Sequence, residues 1–302
     1  MNQDQTADAA RTANAALAST EGDRAANTPE PHSSRSVLLT VAYDGSNFAG
    51  YAAQTNARTV AGELLGAIRA LDPKVKSLRG TSRTDAGVHA RGQLVAFDTG
   101  TRIPARGWVL GLGPHLPKEI AIVRAALVPE GFEPRRHVVR KTYRYVLLRS
   151  AVRDPFLESR AWRITDRLNH TDMQRAADAL LGEHDFAAFR GAADERENTV
   201  RRMFRVEVRT ARSDERILEI VVEGDRFLYR MVRIIAGTLV DVGRGRLDPG
   251  VIGRAIASKR REDLGITAPP DGLFLDRIEL DEAPGECFPP REPGKASDQS
   301  SD

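Results

Sequence analysis

Arg79-Gly80-Thr81-Ser82-Arg83-Thr84-Asp85-Ala86-Gly87-Val88-His89-Ala90-Arg91, RGTSRTDAGVHAR, runs straight into the apolar stretch Gln93-Leu94-Val95-Ala96-Phe97. One carboxylate stands among three arginines and a histidine. Thr84-Asp85-Ala86-Gly87 makes a turn on its own, because an aspartate can bond backbone amides two residues on and Gly87 tolerates the backbone geometry that follows. Lys74–Leu78 before it and Gln93–Phe97 after it have strand length and strand composition. A turn between two short strands points to antiparallel sheet, and the rest of the chain has to be read around that.

Working outward, strand and helix signals alternate. Ser36–Ala42 is a strand signal and leads into the turn-like Tyr43-Asp44-Gly45-Ser46. Val60–Leu71 carries apolar residues at helical spacing and stops before Asp72-Pro73. Trp108–Leu112 reads as a short helix, and Ile120–Val128 and Thr142–Leu148 as strands. Met173–Leu181 is an amphipathic helix. Arg202–Thr210 and Ile217–Glu223 fit a hairpin, Phe227–Val242 and Pro249–Ser258 are helices, and Leu273–Leu280 is a last strand. Strands of this kind mixed with a few helices predict an α+β fold with antiparallel sheet and flanking helices. The expected organisation is a disordered tail over 1–35, an α+β half over 36–150, a second over 151–280 and a disordered acidic tail over 281–302. The two halves are read as pseudo-related.

At 302 residues, 41% hydrophobic and 29% charged, the chain is long enough for a real core. No apolar run nears the roughly 20 residues of a membrane helix, and residues 1–35 lack the basic start and apolar segment of a signal peptide. The lone Cys287 excludes an internal disulfide and fits a reducing, cytoplasmic setting. Six scattered histidines with one cysteine argue against a zinc site, so no metal is expected. The net charge of +3 hides an asymmetry. Residues 1–35 carry −2 and 281–302 carry −4, which leaves +9 on 36–280. Such a field favours a polyanionic partner.

Several segments together resemble the TruA family of tRNA pseudouridine synthases. Arg83-Thr-Asp-Ala-Gly-Val-His-Ala90 is similar to that family's catalytic signature, and Tyr43-Asp-Gly-Ser-Asn-Phe48 to its YDGSxF opening. Lys141-Thr-Tyr-Arg-Tyr145 resembles its KxYxY element, and Gly182–Arg190 its GExDFxxFR segment. Phe227–Gly237 resembles its FLxxMVRxxxG helix, and Ala268–Leu275 its APPxGLxL segment. The likeness spans about residues 37 to 280. It departs at Tyr51-Ala52, where the family has Trp-Gln, and at Ser82, where it has Gly.

The resemblance implies an isomerase converting uridine to pseudouridine at positions 38 to 40 of the tRNA anticodon stem-loop. It needs no cofactor, acts as a homodimer in the cytoplasm and has its active-site cleft between the halves. It makes Asp85 the nucleophile, Arg233 the inward arginine that pairs with it, Tyr143 the platform for the extruded base and Leu273 an apolar wall. If the chain is extended from Ser82 to Asp85, Arg83 lies on the same side as Asp85 and adds a second cation. His89 is expected to pack the turn. Arg58, Arg79, Arg91, Arg135, Arg136, Arg201, Arg202, Arg244 and Arg246 are expected to meet phosphates as a group. Two other readings stay open at this point: a tRNA-binding or RNA-folding protein without chemistry, and a hydrolase using Asp85 on a glycosidic bond. The second lacks the paired carboxylates such hydrolysis generally uses.

Overall fold

The computed structural model describes residues 35–281 and 285–289; the terminal stretches read as tails otherwise lie outside the described residues. The strands are β1 (Arg35–Tyr43), β2 (Arg79–Gly80), β3 (His89–Thr99), β4 (Ile120–Pro129), β5 (Val138–Arg149), β6 (Trp162–Ile164), β7 (Gly182–Asp185), β8 (Val200–Ala211), β9 (Asp214–Gly224), β10 (Leu273–Leu280) and β11 (Cys287–Phe288). The helices are α1 (Val60–Leu71), α2 (Ala105–Leu112), α3 (His170–Asp178), α4 (Met231–Gly243) and α5 (Val251–Ser258). All the strands join one mixed sheet in the order β11-β4-β1-β3-β10-β5-β9-β8-β7, with β2 on β3 and β6 on β5. This is the expected α+β architecture.

The placement of β10 decides where the site forms. It comes last but one in the chain, yet sits in the middle of the sheet, parallel to β3 and antiparallel to β5. Its register puts Leu273 opposite Tyr145 and Leu275 opposite Tyr143, so these four side chains share a sheet face. The strands that carry Asp85's turn, Leu273 and Tyr143 are thereby neighbours.

Local sequence explains most element ends. Thr59 caps α1 by accepting from the Gly62 amide, and Val60, Leu64, Ala67 and Ile68 form its buried stripe. α4 is buried on nearly every side, as a helix of Ile, Leu, Val and Ala under a sheet should be. Gly237 is required there: a Cβ on it would lie 1.8 Å from the carbonyl oxygen of Ile266. The 264–268 segment can therefore cross the helix at backbone contact, and the Ala268 amide donates to the Arg233 carbonyl.

Three readings need correction. Lys74–Leu78 is not a strand; only Arg79–Gly80 pairs with β3. The Arg69 guanidinium takes the carbonyls of Val75 and Lys76, and Asp72 accepts from the Lys74 amide, so this backbone is satisfied without a sheet partner. The helix expected from Phe227 begins at Met231. Asp194 accepts from the Tyr229 amide and Arg230 takes a left-handed φ of 60°, which hold 227–230 as an irregular entry. Within the C-terminal segment read as disordered, Cys287–Phe288 pairs with β4.

Candidate active site

The Asp85 turn is held by side chains arriving from three directions. Gln93, fully buried on β3, accepts from the Thr81 hydroxyl and the Ser82 amide and donates to the Ser82 carbonyl. The Tyr43 hydroxyl lies 2.8 Å from that of Thr84, and the Tyr51 amide donates to the Thr84 carbonyl. Gly87 turns the chain with φ +78°, and a Cβ there would sit 3.0 Å from Pro270. With 81–84 and 87 fixed, Asp85 has one direction left for its side chain.

That direction meets α4. Arg233 Nη1 donates to Asp85 Oδ2 at 2.9 Å, while Arg233 Nε donates to the Ala268 carbonyl at 2.8 Å. The second bond fixes the guanidinium plane before any substrate arrives. Asp85 and Arg233 retain 20% and 12% of their side-chain exposure, so the pair is sheltered but reachable. A half-buried ion pair of this kind gains little net stability, so its retention is better explained by chemistry than by folding.

Tyr143 is 8% exposed, and its ring meets Phe227 edge to face at 4.9 Å. Burial pushes its phenol up to about 12, and the charge of Asp85 adds to the rise against the nearby Ser82 hydroxyl. Asp85 and Tyr143 thus lie within electrostatic reach of each other, and the phenol stays protonated at neutral pH. Leu273, 6% exposed, stands on the same sheet face, its amide bonded to the Pro270 carbonyl.

Of the expected residues, Asp85, Arg233 and Tyr143 come together and Leu273 flanks them. Arg83 does not join them. It is exposed and forms no side-chain hydrogen bond or ion pair among the described residues, because the irregular backbone buries Ser82 and Thr84 and turns Arg83 outward. His89 packs the turn, 1% exposed, accepting from the Gly45 amide and stacked on Phe274. Several arginines expected at phosphates are engaged within the protein. Arg79 grips Asp98 with two bonds of 2.7 Å, Arg58 reaches Glu63 and Glu119, and Arg244 reaches Asp166.

Gln93 was missed. Its signal was present, as a lone amide inside the run Gln93–Phe97 that has to be buried. The described residues include no cluster of three potential metal ligands and no helix long and apolar enough to cross a membrane.

A family model described as tRNA pseudouridine synthase matches residues 176–281. A protein named tRNA pseudouridine synthase A from Halalkalibacterium halodurans is 43% identical over 244 residues, covering 80% of this chain and 91% of the relative. Proteins of the same name from Geobacter sulfurreducens and Thermoanaerobacter sp. (strain X514) are 40% and 39% identical, each alignment covering 81% of this chain and 99% of the relative.

Proposed function

The chain belongs to the tRNA pseudouridine synthase A family, and from that premise we propose that Asp85 is the nucleophile that isomerises uridine in the tRNA anticodon stem-loop, at positions 38 to 40. The observation carrying this reading is the Asp85–Arg233 pair, prepositioned by Ala268 and set beside the buried phenol of Tyr143.

In this reading the target uridine leaves its stack and rests against Tyr143, at a cost of a few kcal/mol. The N1–C1′ bond breaks, the freed uracil turns, and a C5–C1′ bond forms as the C5 proton departs. The reaction is an isomerisation, so atoms balance without a co-reactant. Asp85 forms the transient covalent bond that keeps the pieces together. Arg233 orients the carboxylate and keeps water-mediated alternatives away from that oxygen. Tyr143, protonated at neutral pH, serves first as platform and hydrogen-bond donor, and its phenol takes part in proton transfer later. Leu273 closes the pocket with an apolar wall. The working protein is a cytoplasmic homodimer, as the family resemblance implies.

The test is tritium release from unmodified tRNA carrying 5-tritiated uridine. Wild type should release the label, while Asp85→Asn should bind tRNA with wild-type affinity and release none. Turnover by pure Asp85→Asn protein removes the nucleophile assignment. Binding without release by the wild type favours the non-catalytic reading and turns attention to Ser82 and Tyr51, where the chain departs from the family pattern.

A further inference from the structure

Two residues before Tyr143, and so on the same face of β5, stands Lys141. Its half-buried ammonium donates to the Thr81 carbonyl at 3.2 Å, on the backbone that leads to Asp85. No carboxylate forms an ion pair with it among the described residues. Its charged surroundings are mostly cationic: Arg135 from the 134–137 turn, Arg196 from the 190–199 loop, and against these Asp225 at the end of β9. Arg196 also bears on Arg201, which is 5% exposed on β8. Among the described residues, the Arg201 guanidinium bonds to the Asn198 side chain and the Val200 carbonyl, and its Nε meets no partner.

Desolvated like charges that converge, only partly offset by Asp194 and Asp225, oppose folding. Burial, reinforced by Arg135 and Arg196, lowers the Lys141 amine to about 8, and burial with Arg226 and Arg196 lowers Arg201 as well. The Thr81 bond could be made by a neutral donor. What a neutral donor could not do is neutralise the charge of an anion. Lys141 and Tyr143 are about 7 Å apart along the strand, so one nucleotide can touch both.

We propose that Lys141 and Arg196 form a phosphate subsite that takes the phosphodiester adjacent to the extruded uridine, with the buried Arg201 behind Arg196 adding to its field. This rests on the functional reading above and adds a defined contact to it. Arg196 keeps its bonds to Asp194 and the Phe227 carbonyl, which set its guanidinium in place, while Lys141 and Arg201 meet no carboxylate in an ion pair among the described residues.

The experiment measures binding of an unmodified tRNA transcript across a range of KCl concentrations and from pH 7 to 9. The proteins are wild type, Lys141→Met, Lys141→Arg and Arg196→Met, with tritium release followed on each. Lys141→Met should weaken binding about tenfold and reduce the slope of log affinity against log salt by about one. KM should rise more than kcat falls. Wild-type affinity should drop as pH passes about 8, where the free ammonium loses its proton, and Lys141→Arg should abolish that drop. Arg196→Met strips the buried Asp194 carboxylate of its partner and should lower Tm, so it is assayed at a temperature where it is folded, and there it should lose about one unit of slope even if Lys141→Met does not fold. Unchanged affinity and slope in folded variants overturn the subsite, as does a loss confined to kcat, which would make Lys141 a brace for the Asp85 turn and nothing more. A wild type showing these slopes but releasing no tritium overturns the isomerase reading while supporting the subsite.

Discussion

At the scale of single residues, the lone acid among arginines drew attention, but the residues by themselves suit a turn-former as well, and its assignment as nucleophile came from the family resemblance. Its true partner was not legible from local spacing. Alternation along an extended chain assigned Arg83 to the same side as Asp85, but 82–85 is not a strand, and the cation that reaches Asp85 comes from 148 residues further along. Only the family resemblance pointed to Arg233. The turn itself depends on Gln93. Gln93→Leu should cost about 2–3 kcal/mol, since it leaves the Ser82 amide and carbonyl buried without their side-chain partner; a lower Tm and a lower kcat from the same preparation would check it. Tyr143→Phe keeps the ring and removes the hydroxyl. It should bind tRNA as wild type does while single-turnover tritium release slows about 100-fold or more.

Among elements, periodicity located α1 and β10 to the residue, because each has a clean apolar pattern ending at a turn. It failed where side chains substitute for regular pairing, as at Lys74–Leu78, and where a backbone is detained by a distant carboxylate, as Asp194 detains Tyr229. α4 shows how an element can serve the site by being thin. Gly237 admits the 264–268 segment, which brings the Ala268 carbonyl to Arg233. Gly237→Ala should therefore destabilise the protein by about 3 kcal/mol and also lose activity beyond what unfolding explains. Thermal melts set beside tritium release at a temperature where the variant is folded would separate the two effects.

For the whole molecule, charge was readable from composition but its distribution was not. Many arginines turned out to hold the protein together, and this gives stability a definite pH dependence. The Arg79 guanidinium, with the Ser36 hydroxyl and Gly131 amide, holds Asp98 far below the usual carboxylate range. Arg196, with the Tyr229 and Arg196 amides, does the same for Asp194. A depressed carboxylate contributes fully above its unfolded value of about 3.8 and loses that contribution as pH falls below it. Asp98 keeps 43% of its side-chain exposure, so its share is at most about 1 kcal/mol. Tm should be level between pH 5 and 7 and decline below pH 4, with a shallower decline in Arg79→Met. Strand order was also beyond composition and pattern, because pairing such as Phe274 with His89, far apart in the chain, leaves no local trace. Its consequence reaches into synthesis. As the chain leaves the ribosome, β3 and β5 emerge long before the strand that belongs between them. A message cut short anywhere ahead of Leu273 yields a protein with a gap in the centre of its sheet and two bare edges open to other chains. Catalysis in this fold therefore certifies that translation has passed Leu280.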